Sequence, residues 1–495
     1  MEKKKNYIKL ILGLKLKQLR QEKQLSLNEL AAKSSLSVSY LNEIEKGKKY
    51  PKAEKIAQLA HALGASYDEL VSLKLTKNLT PIAELIDSNI LEMLPLDHYG
   101  IDLNKFISLM SDASYQLSAL VATVIDMARN TEMSQNNFSR TALRIYKEIH
   151  DNYFEDIEES VDKFIEEYSI SVSSPLSHNT LFEILEKKHN YLLDETSLDN
   201  FIELQQLRGI LKPGRQPILF LNSRLSSSQK LFIIGKELAY NYLNISKRSY
   251  IHSSLKLNTF DHLLNNYIAA YFSAALILNK NSFTTDLNTF FSKEKWEENF
   301  LIRLIINYDA TPEMVFQRLA NLAGKVWGLK KYFFLRFNTF AGIDKYDLTK
   351  EVRLNIKQNP GGYQTNEHYC RRWISIEVLK NIEQELKGIN SNGKMKSGIL
   401  HSKFHETNDE YISFSIAQQN ILDPEIFSSV TLGFYLDAQF KNKINFWNDP
   451  AIPFRIVNDT CEMCGISDCK ERISEPITLR KIQRSIDIEN TIKKL

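Results

Sequence analysis

Four cysteines carry the most concentrated chemistry in this 495-residue sequence. Three lie in Cys461-Glu462-Met463-Cys464-Gly465-Ile466-Ser467-Asp468-Cys469, a C-x₂-C-x₄-C run. The fourth, Cys370, lies 91 residues upstream in His368-Tyr369-Cys370-Arg371-Arg372-Trp373. Four thiolates are the complement for one zinc ion or one iron–sulfur cluster, and a two-residue gap lets neighbouring thiolates turn toward one centre. No cysteine is spent elsewhere, which argues against four unrelated buried thiols, and a pair of disulfides belongs to secreted chains. Spacing alone does not choose between iron and zinc.

A second group of residues suits a polyanion. Residues 1–75 hold 15 Lys/Arg and 8 Asp/Glu, net +7, whereas the whole chain is only +3 and the other 420 residues are therefore −4. A basic head on a mildly acidic body is the charge pattern of a segment that meets nucleic acid. Ser37, Ser39, Tyr40, Asn42 and Glu43 share the outward face of a short helix, with Lys46, Lys48 and Lys49 at its end, placed for phosphates.

The elements that position these groups are legible from local signals. Ile8, Ile11, Leu12, Leu16 and Leu19 have helical spacing. Ser26-Leu27-Asn28-Glu29 is a capping box opening a helix that runs to Ser34, and Ser37 caps the next, Val38 to Lys46, with Gly47 to end it. A fourth helix runs from Lys52 to Leu63 before Gly64, and Ser66-Tyr67-Asp68-Glu69 opens a fifth. Leu30, Ala31, Leu36, Leu41 and Ile44 pack these helices together. Two short helices joined by a tight turn fit a major groove about 12 Å wide.

Residues 80–170 read as helical, punctuated by Pro81 and Pro95, and the acidic stretch from Asp151 to Glu167 reads as a solvated helix face. A short strand, Pro217 to Asn222, precedes a helix from Ser227 to Leu243. Near 332 the pattern changes: Phe333 to Phe337, Tyr411 to Ile416 and Val430 to Leu436 read as strands, Pro360-Gly361-Gly362 as a turn, and Ile374 to Leu386 as a helix. The expected fold is mainly α, with an α+β C-terminal third. The expected divisions are a DNA-binding head at 1–78, a helical connector at 79–170, a middle domain at 171–330 and a C-terminal sensor domain at 331–495.

Leu14 to Leu73 resembles the Cro/C1-type (XRE) helix-turn-helix family through Leu41-Asn42-Glu43-Ile44-Glu45-Lys46-Gly47, Pro51 and Leu59-Ala60-His61-Ala62-Leu63-Gly64. The resemblance implies a five-helix, lambda-repressor-like domain that binds operator DNA. Leu27 replaces the family's frequent phosphate-contacting Gln, and Ser35 replaces the usual turn Gly, which predicts a left-handed serine strained by about 1 kcal/mol.

Gln229 to Leu243 resembles the metallopeptidase helix of the ImmA/IrrE family, whose His-Glu-x-x-His holds zinc with Glu as general base. The matching positions are Lys236, Glu237, Leu238, Ala239 and Tyr240, so both His ligands are absent. Tyr267 to Leu278 resembles the second helix, but residues 265–268 supply no acidic ligand. A lysine repels a metal, so the helix is expected to be scaffold and the chain not an enzyme. His401 and His405 are four apart but lack the intervening Glu, and read as surface residues.

In order, nearly the whole chain resembles the short-chain fatty acid transcriptional regulators, which include mycobacterial propionate and acetate regulators, with the match loose between 80 and 220. The carrying residues are Phe333-Phe334-Leu335-Arg336-Phe337, Gly361-Gly362, Cys370-Arg371-Arg372-Trp373 and Cys461 to Cys469, with Arg371 in place of the usual Pro. The resemblance implies a [4Fe–4S] cluster on Cys370, Cys461, Cys464 and Cys469, a short-chain acyl-CoA effector, and a homodimer on a near-palindromic operator. Zinc is the alternative metal. The competing functional readings are a zinc-stabilised antitoxin or adaptor, a helical head that binds protein instead of DNA, and a zinc peptidase.

No apolar run reaches the roughly 18–20 residues of a membrane span. Lys9, Lys15 and Lys17 interrupt the N-terminal apolar stretch, and no cleavage site follows it. A cytoplasmic location without membrane contact is expected.

Overall fold

The computed structural model describes residues 2–72, 98, 100, 135–171, 175–252, 260–355, 368–386 and 393–493. The Pro360-Gly361-Gly362 turn, Pro81, Pro95 and nearly all of 79–134 lie outside the described residues. The chain forms two compact units, Met1–Ala142 with Asn258–Phe260, and Leu143–Leu257 with Asp261–Leu495.

In the first unit five helices follow in succession: α1 (Glu2–Glu22), α2 (Leu27–Ser34), α3 (Val38–Glu45), α4 (Ala53–Leu63) and α5 (Tyr67–Val71). Leu12, Leu16, Leu30, Leu41, Ile44, Ile56, Leu59, Leu63 and Leu70 form its core, with Ala31 and Leu36 packed at the margin. The apolar stripe of each helix faces this centre, as amphipathic helices require. Lys15, which interrupts the stripe of α1, is buried. Its ammonium donates to the carbonyls of Glu69 at 2.9 Å and Ser72 at 2.5 Å, satisfying orphan acceptors at the end of α5.

The second unit begins with helices α6 (Gln135–Ile149, whose first turns belong to the first unit), α7 (Glu155–Glu167) and α8 (His178–His189). Strands β1 (Leu192–Asp194), β2 (Gly209–Lys212) and β3 (Ile218–Leu221) form a small sheet in the order β1-β3-β2. Helices α9 (Ser227–Tyr242), α10 (Phe260–Ile277), α11 (Lys280–Phe291), α12 (Phe300–Asn307) and α13 (Pro312–Trp327) follow. A six-stranded sheet closes the unit: β4 (Tyr332–Phe340), β5 (Asp347–Leu354), β6 (Met395–Phe404), β7 (Glu410–Gln419), β8 (Ile426–Tyr435) and β9 (Phe454–Val457), in the order β5-β4-β8-β7-β6-β9. Neighbours are antiparallel except β6 and β9.

Both faces of this sheet are covered, which is why its strands read as dense apolar runs instead of alternating ones. Tyr332, Phe334, Ile412, Phe414, Ile416, Val430, Leu432 and Phe434 share one core with α9–α13. Phe333, Leu335, Phe337, Leu400 and Tyr411, on the other face, pack under α14 (Ile374–Glu385). Helix α15 (Ala438–Lys443) and the C-terminal α16 (Ile477–Ile492) complete the chain. Among the described residues no helix is long and apolar enough to cross a membrane.

The acidic α7 departs from the expected solvated face at one position. Glu158 is buried and takes a two-oxygen grip from Arg318, itself 1% exposed, plus a hydrogen bond from the Tyr271 hydroxyl at 2.7 Å. Burial pushes its carboxyl up, but Arg318 overcomes that and holds it below the usual range.

Candidate functional site

The helix-turn-helix forms through reciprocal caps. The Ser26 hydroxyl accepts from the Glu29 amide at 3.2 Å, and the Glu29 carboxylate accepts from the Ser26 amide at 2.7 Å. Ser35 ends α2 at φ +55, the strained left-handed serine that the sequence predicts. The Ser37 hydroxyl then accepts from the Tyr40 amide at 3.2 Å and starts α3. Ser66 accepts from the Glu69 amide at the start of α5.

Helix α3 presents Ser39 exposed and Asn42 and Glu43 half-buried, with Lys46 and Lys48 exposed beyond its end and Ser37 exposed at its start. Tyr40 is half-buried, with the Lys55 ammonium 4.5 Å from its ring centre. Glu43 pairs with Lys49 at 2.7 Å. Two residues outside the expected set hold this face in place. Arg20 of α1 grips Glu45 with two nitrogens, at 2.7 and 2.9 Å, and donates to the Leu25 carbonyl. Gly13 lets α1 cross the end of α3 closely, since a Cβ there would lie 2.2 Å from the Ile44 carbonyl oxygen.

The two cysteine segments meet through backbone pairing. Tyr369 and Thr460 form an antiparallel bridge; the Cys370 amide donates to the Asp459 carbonyl at 3.1 Å and the Cys461 amide to the His368 carbonyl at 2.9 Å. Cys370, Cys461 and Cys464 are buried and Cys469 is half-buried, all as free thiols. Burial pushes the Cys370 thiol up to about 11. Glu462 joins the two segments by accepting from the His368 amide at 2.9 Å and contacting its Nδ1 at 2.7 Å. Arg472 folds the cysteine loop by donating to the carbonyls of Cys461, Cys464, Ile466 and Ser474. Four thiols have the donor chemistry of a zinc or iron–sulfur site. Among the described residues, however, no group of three or more His, Cys, Asp or Glu is arranged to hold a metal ion.

Around Glu237 the structure builds an ion-pair cluster. Glu237 is fully buried and is gripped by both terminal nitrogens of Arg248, one of them at 2.8 Å. His252 Nε2 lies 2.8 Å from it, and the Tyr191 hydroxyl donates at 3.2 Å. Burial pushes the carboxyl up, but His252 and Arg248 outweigh it and hold the group near 2. The Arg248 guanidinium stacks 3.8 Å over Tyr240, and Lys236 donates to Asn266 Oδ1 at 2.6 Å. Lys236, Tyr240 and Asn266 thus place a cation, a phenol and an amide beside this cluster. His401 is half-buried on β6, 2.9 Å from Glu410, and His405 is exposed.

Lys236 also belongs to a basic cluster that the sequence did not reveal. It interacts with Arg208 and Lys350; Lys350 in turn interacts with Lys147, and Glu313 interacts with Lys350, Arg336 and Arg208. Glu313 pairs with Lys350 at 2.7 Å and Arg336 at 3.3 Å. Arg208 has no side-chain hydrogen bond or ion pair among the described residues, and burial lowers its proton affinity. The Lys147 ammonium lies 4.0 Å from the Tyr267 ring centre. Burial lowers Lys147 to about 7 and Lys236 to about 8. With Glu237 committed to Arg248, Glu313 alone faces these cations as a carboxylate among the described residues, so the cluster carries a positive excess. Its members come from α6, the residue before β2, α9, β4 and β5, and no spacing in the sequence announces it.

Comparison with known proteins places residues 16–70 in the helix-turn-helix family HTH_3. The chain is similar to the uncharacterized HTH-type transcriptional regulator y4dJ of Sinorhizobium fredii (strain NBRC 101917 / NGR234), 39% identical over 62 residues, which are 12% of this chain and 80% of the relative. Among solved structures, a Mycobacterium tuberculosis transcriptional regulator is 14% identical, spans 68% of this chain and 93% of its own, and gives a TM-score of 0.48. The apo form of the competence regulator ComR from Streptococcus vestibularis is 16% identical, spans 64% of this chain and 98% of its own, and gives a TM-score of 0.13.

Proposed function

We propose that this chain, which belongs to the helix-turn-helix family of transcriptional regulators, reads an operator duplex with α3 as a homodimer and is controlled by its second unit. The observation that carries the reading is the capped α2–turn–α3 element, with Ser39, Asn42 and Glu43 on the outward side and Lys46 and Lys48 beside it. Tyr40 is more constrained, since Lys55 lies over its ring.

The second unit acts as a sensor of short-chain acyl-CoA, the effector implied by the family resemblance. The basic cluster of Lys147, Arg208, Lys236, Arg336 and Lys350 supports an anionic, phosphate-bearing effector, because cations with too few carboxylates are matched by phosphates. Cys370, Cys461, Cys464 and Cys469 hold a [4Fe–4S] cluster, with zinc as the alternative. Such a cluster supplies an oxidation-sensitive cross-link, whereas zinc has no redox chemistry. Against a peptidase role stands Glu237, the residue at the general-base position, which is held by Arg248 and His252.

Duplexes from the chain's own promoter region, titrated with the full chain over a salt series, test the DNA reading. Affinity is expected to fall steeply with salt as counterions are released. Asn42→Ala is expected to relax base preference by roughly 1–3 kcal/mol, and Lys46→Ala to weaken all duplexes alike. Glu43→Ala is expected to act on both, because Glu43 also holds Lys49. If no such duplex outcompetes bulk DNA, the regulator reading fails.

A further inference from the structure

Lys147 is held differently from most lysines around it. Lys230, Lys247, Lys325, Lys330 and Lys350 each pair with a carboxylate. Lys147, near the end of α6, makes no side-chain hydrogen bond or ion pair among the described residues. Its ammonium rests instead on an aromatic face, 4.0 Å from the centre of the Tyr267 ring. That ring is fixed, because its hydroxyl donates to Asn152 Oδ1 at 2.9 Å and accepts from the Asn321 amide at 3.2 Å. Burial first, and then the neighbouring charge of Lys350, lowers the Lys147 amine to about 7. At neutral pH its unprotonated fraction is roughly a thousandfold that of an ordinary lysine. An unprotonated, positioned amine is a nucleophile.

The surroundings also indicate the electrophile. Arg336 and Lys350 share the single carboxylate of Glu313, at 3.3 and 2.7 Å, and Arg208 has no carboxylate partner among the described residues. Such an excess of cations is matched by phosphates. The face of Tyr267 suits a short apolar chain beside the amine. A phosphate-bearing acyl thioester supplies all three parts: the anion, the electrophilic carbonyl carbon and the chain.

We propose that Lys147 is an acyl acceptor, modified by the phosphate-bearing acyl thioester that the neighbouring cations hold. The inference rests on the effector of the proposed function and adds a covalent step to it. The amine nitrogen bonds to the carbonyl carbon, the carbon–sulfur bond breaks, and the thiol leaves with the proton that the nitrogen loses. The amide that remains is uncharged, so the site loses one cation and its hold on the released coenzyme weakens. The chain then keeps a record of the effector after the effector has gone.

Isotope-labelled acetyl-coenzyme A, incubated with the full chain and followed by peptide mass mapping, tests this. Lys147 is expected to be acetylated at least tenfold faster than the exposed Lys187 and Lys345. Its rate should saturate with donor concentration and fall when unacylated coenzyme A competes. Lys350→Gln is expected to slow labelling of Lys147 at least tenfold and to leave labelling of Lys187 as it was. Labelling that merely follows exposure, or a rate that neither saturates nor responds to coenzyme A, overturns the proposal. Calorimetric binding of unacylated coenzyme A tests the effector reading by itself. Binding without acetylation of Lys147 overturns the acceptor role alone, and no binding removes the effector reading beneath it.

Discussion

Glu237→Gln isolates the ion-pair cluster with the least change of shape. The carboxylate is 0% exposed and receives both terminal nitrogens of Arg248, the Tyr191 hydroxyl and His252. A neutral amide leaves Arg248, 7% exposed, without its counter-charge. Breaking a buried pair from one side costs roughly 3–5 kcal/mol, because the remaining charge stays desolvated. At about 2 °C per kcal/mol for a unit this large, the expected fall in Tm is roughly 6–10 °C. The folded carboxyl sits near 2 against an ordinary 4.5, so its contribution is fully present above 4.5 and is lost as pH falls toward 2. The gap between wild type and variant should therefore narrow as pH falls from 4.5 toward 2. Adding Arg248→Met should recover part of the loss, since both charges are then gone. Calorimetry of the four proteins across pH measures this cycle. A single-variant loss below about 1 kcal/mol would refute the structural role. Chelator-sensitive proteolysis abolished by Glu237→Gln would instead make the residue catalytic.

The remaining predictions concern the head, the basic cluster and the cysteines. In Gly13→Ala the added Cβ meets the Ile44 carbonyl at 2.2 Å, so the roughly 1 kcal/mol gained in helix preference is outweighed by overpacking, and operator affinity should fall at least tenfold by anisotropy. Short-chain acyl-CoA affinity should decrease as pH rises from 6.5 to 8.5, because Lys147 and Lys236 lose their protons near 7 and 8 and anion binding must restore them. Calorimetry in buffers of different ionisation heat should show proton uptake, and a flat pH profile would remove these lysines from the site. The chain purified without oxygen should be brown, and each of Cys370→Ser, Cys461→Ser, Cys464→Ser and Cys469→Ser should lower its iron content. Full iron in Cys370→Ser would break the four-ligand set, and stoichiometric zinc without iron would replace the cluster with a structural zinc site.

The head was legible because its signals are local: serines at helix starts, Glu29 three residues after Ser26, and apolar residues at helical spacing all act within one turn. The backbone meeting of the Cys370 segment with the distant cysteine run fits a sequence in which no other cysteine competes. The partners of Glu237 were not, since Arg248 and His252 reach it from a segment that follows α9, and tertiary packing alone brings them there. Lys15 reads in sequence as an interruption of an apolar stripe, yet the carbonyls of Glu69 and Ser72 that accept from its ammonium make its burial favourable. Strands β1 and β2 are three and four residues long, too short for an alternation pattern to stand out.

The core shared by the helical layer and the six-stranded sheet has a consequence for modularity. Phe290 of α11 stacks on Phe300 and reaches Phe414 of β7 and Phe446, so the two parts interlock through their aromatic side chains. Residues 331–495 excised alone would expose Phe414, Ile416, Leu432 and Phe434 to water, and such a fragment should aggregate when expressed. Limited proteolysis should accordingly yield no lasting cut between α13 and β4. The helical layer is thus indispensable as the other half of the sheet's interior.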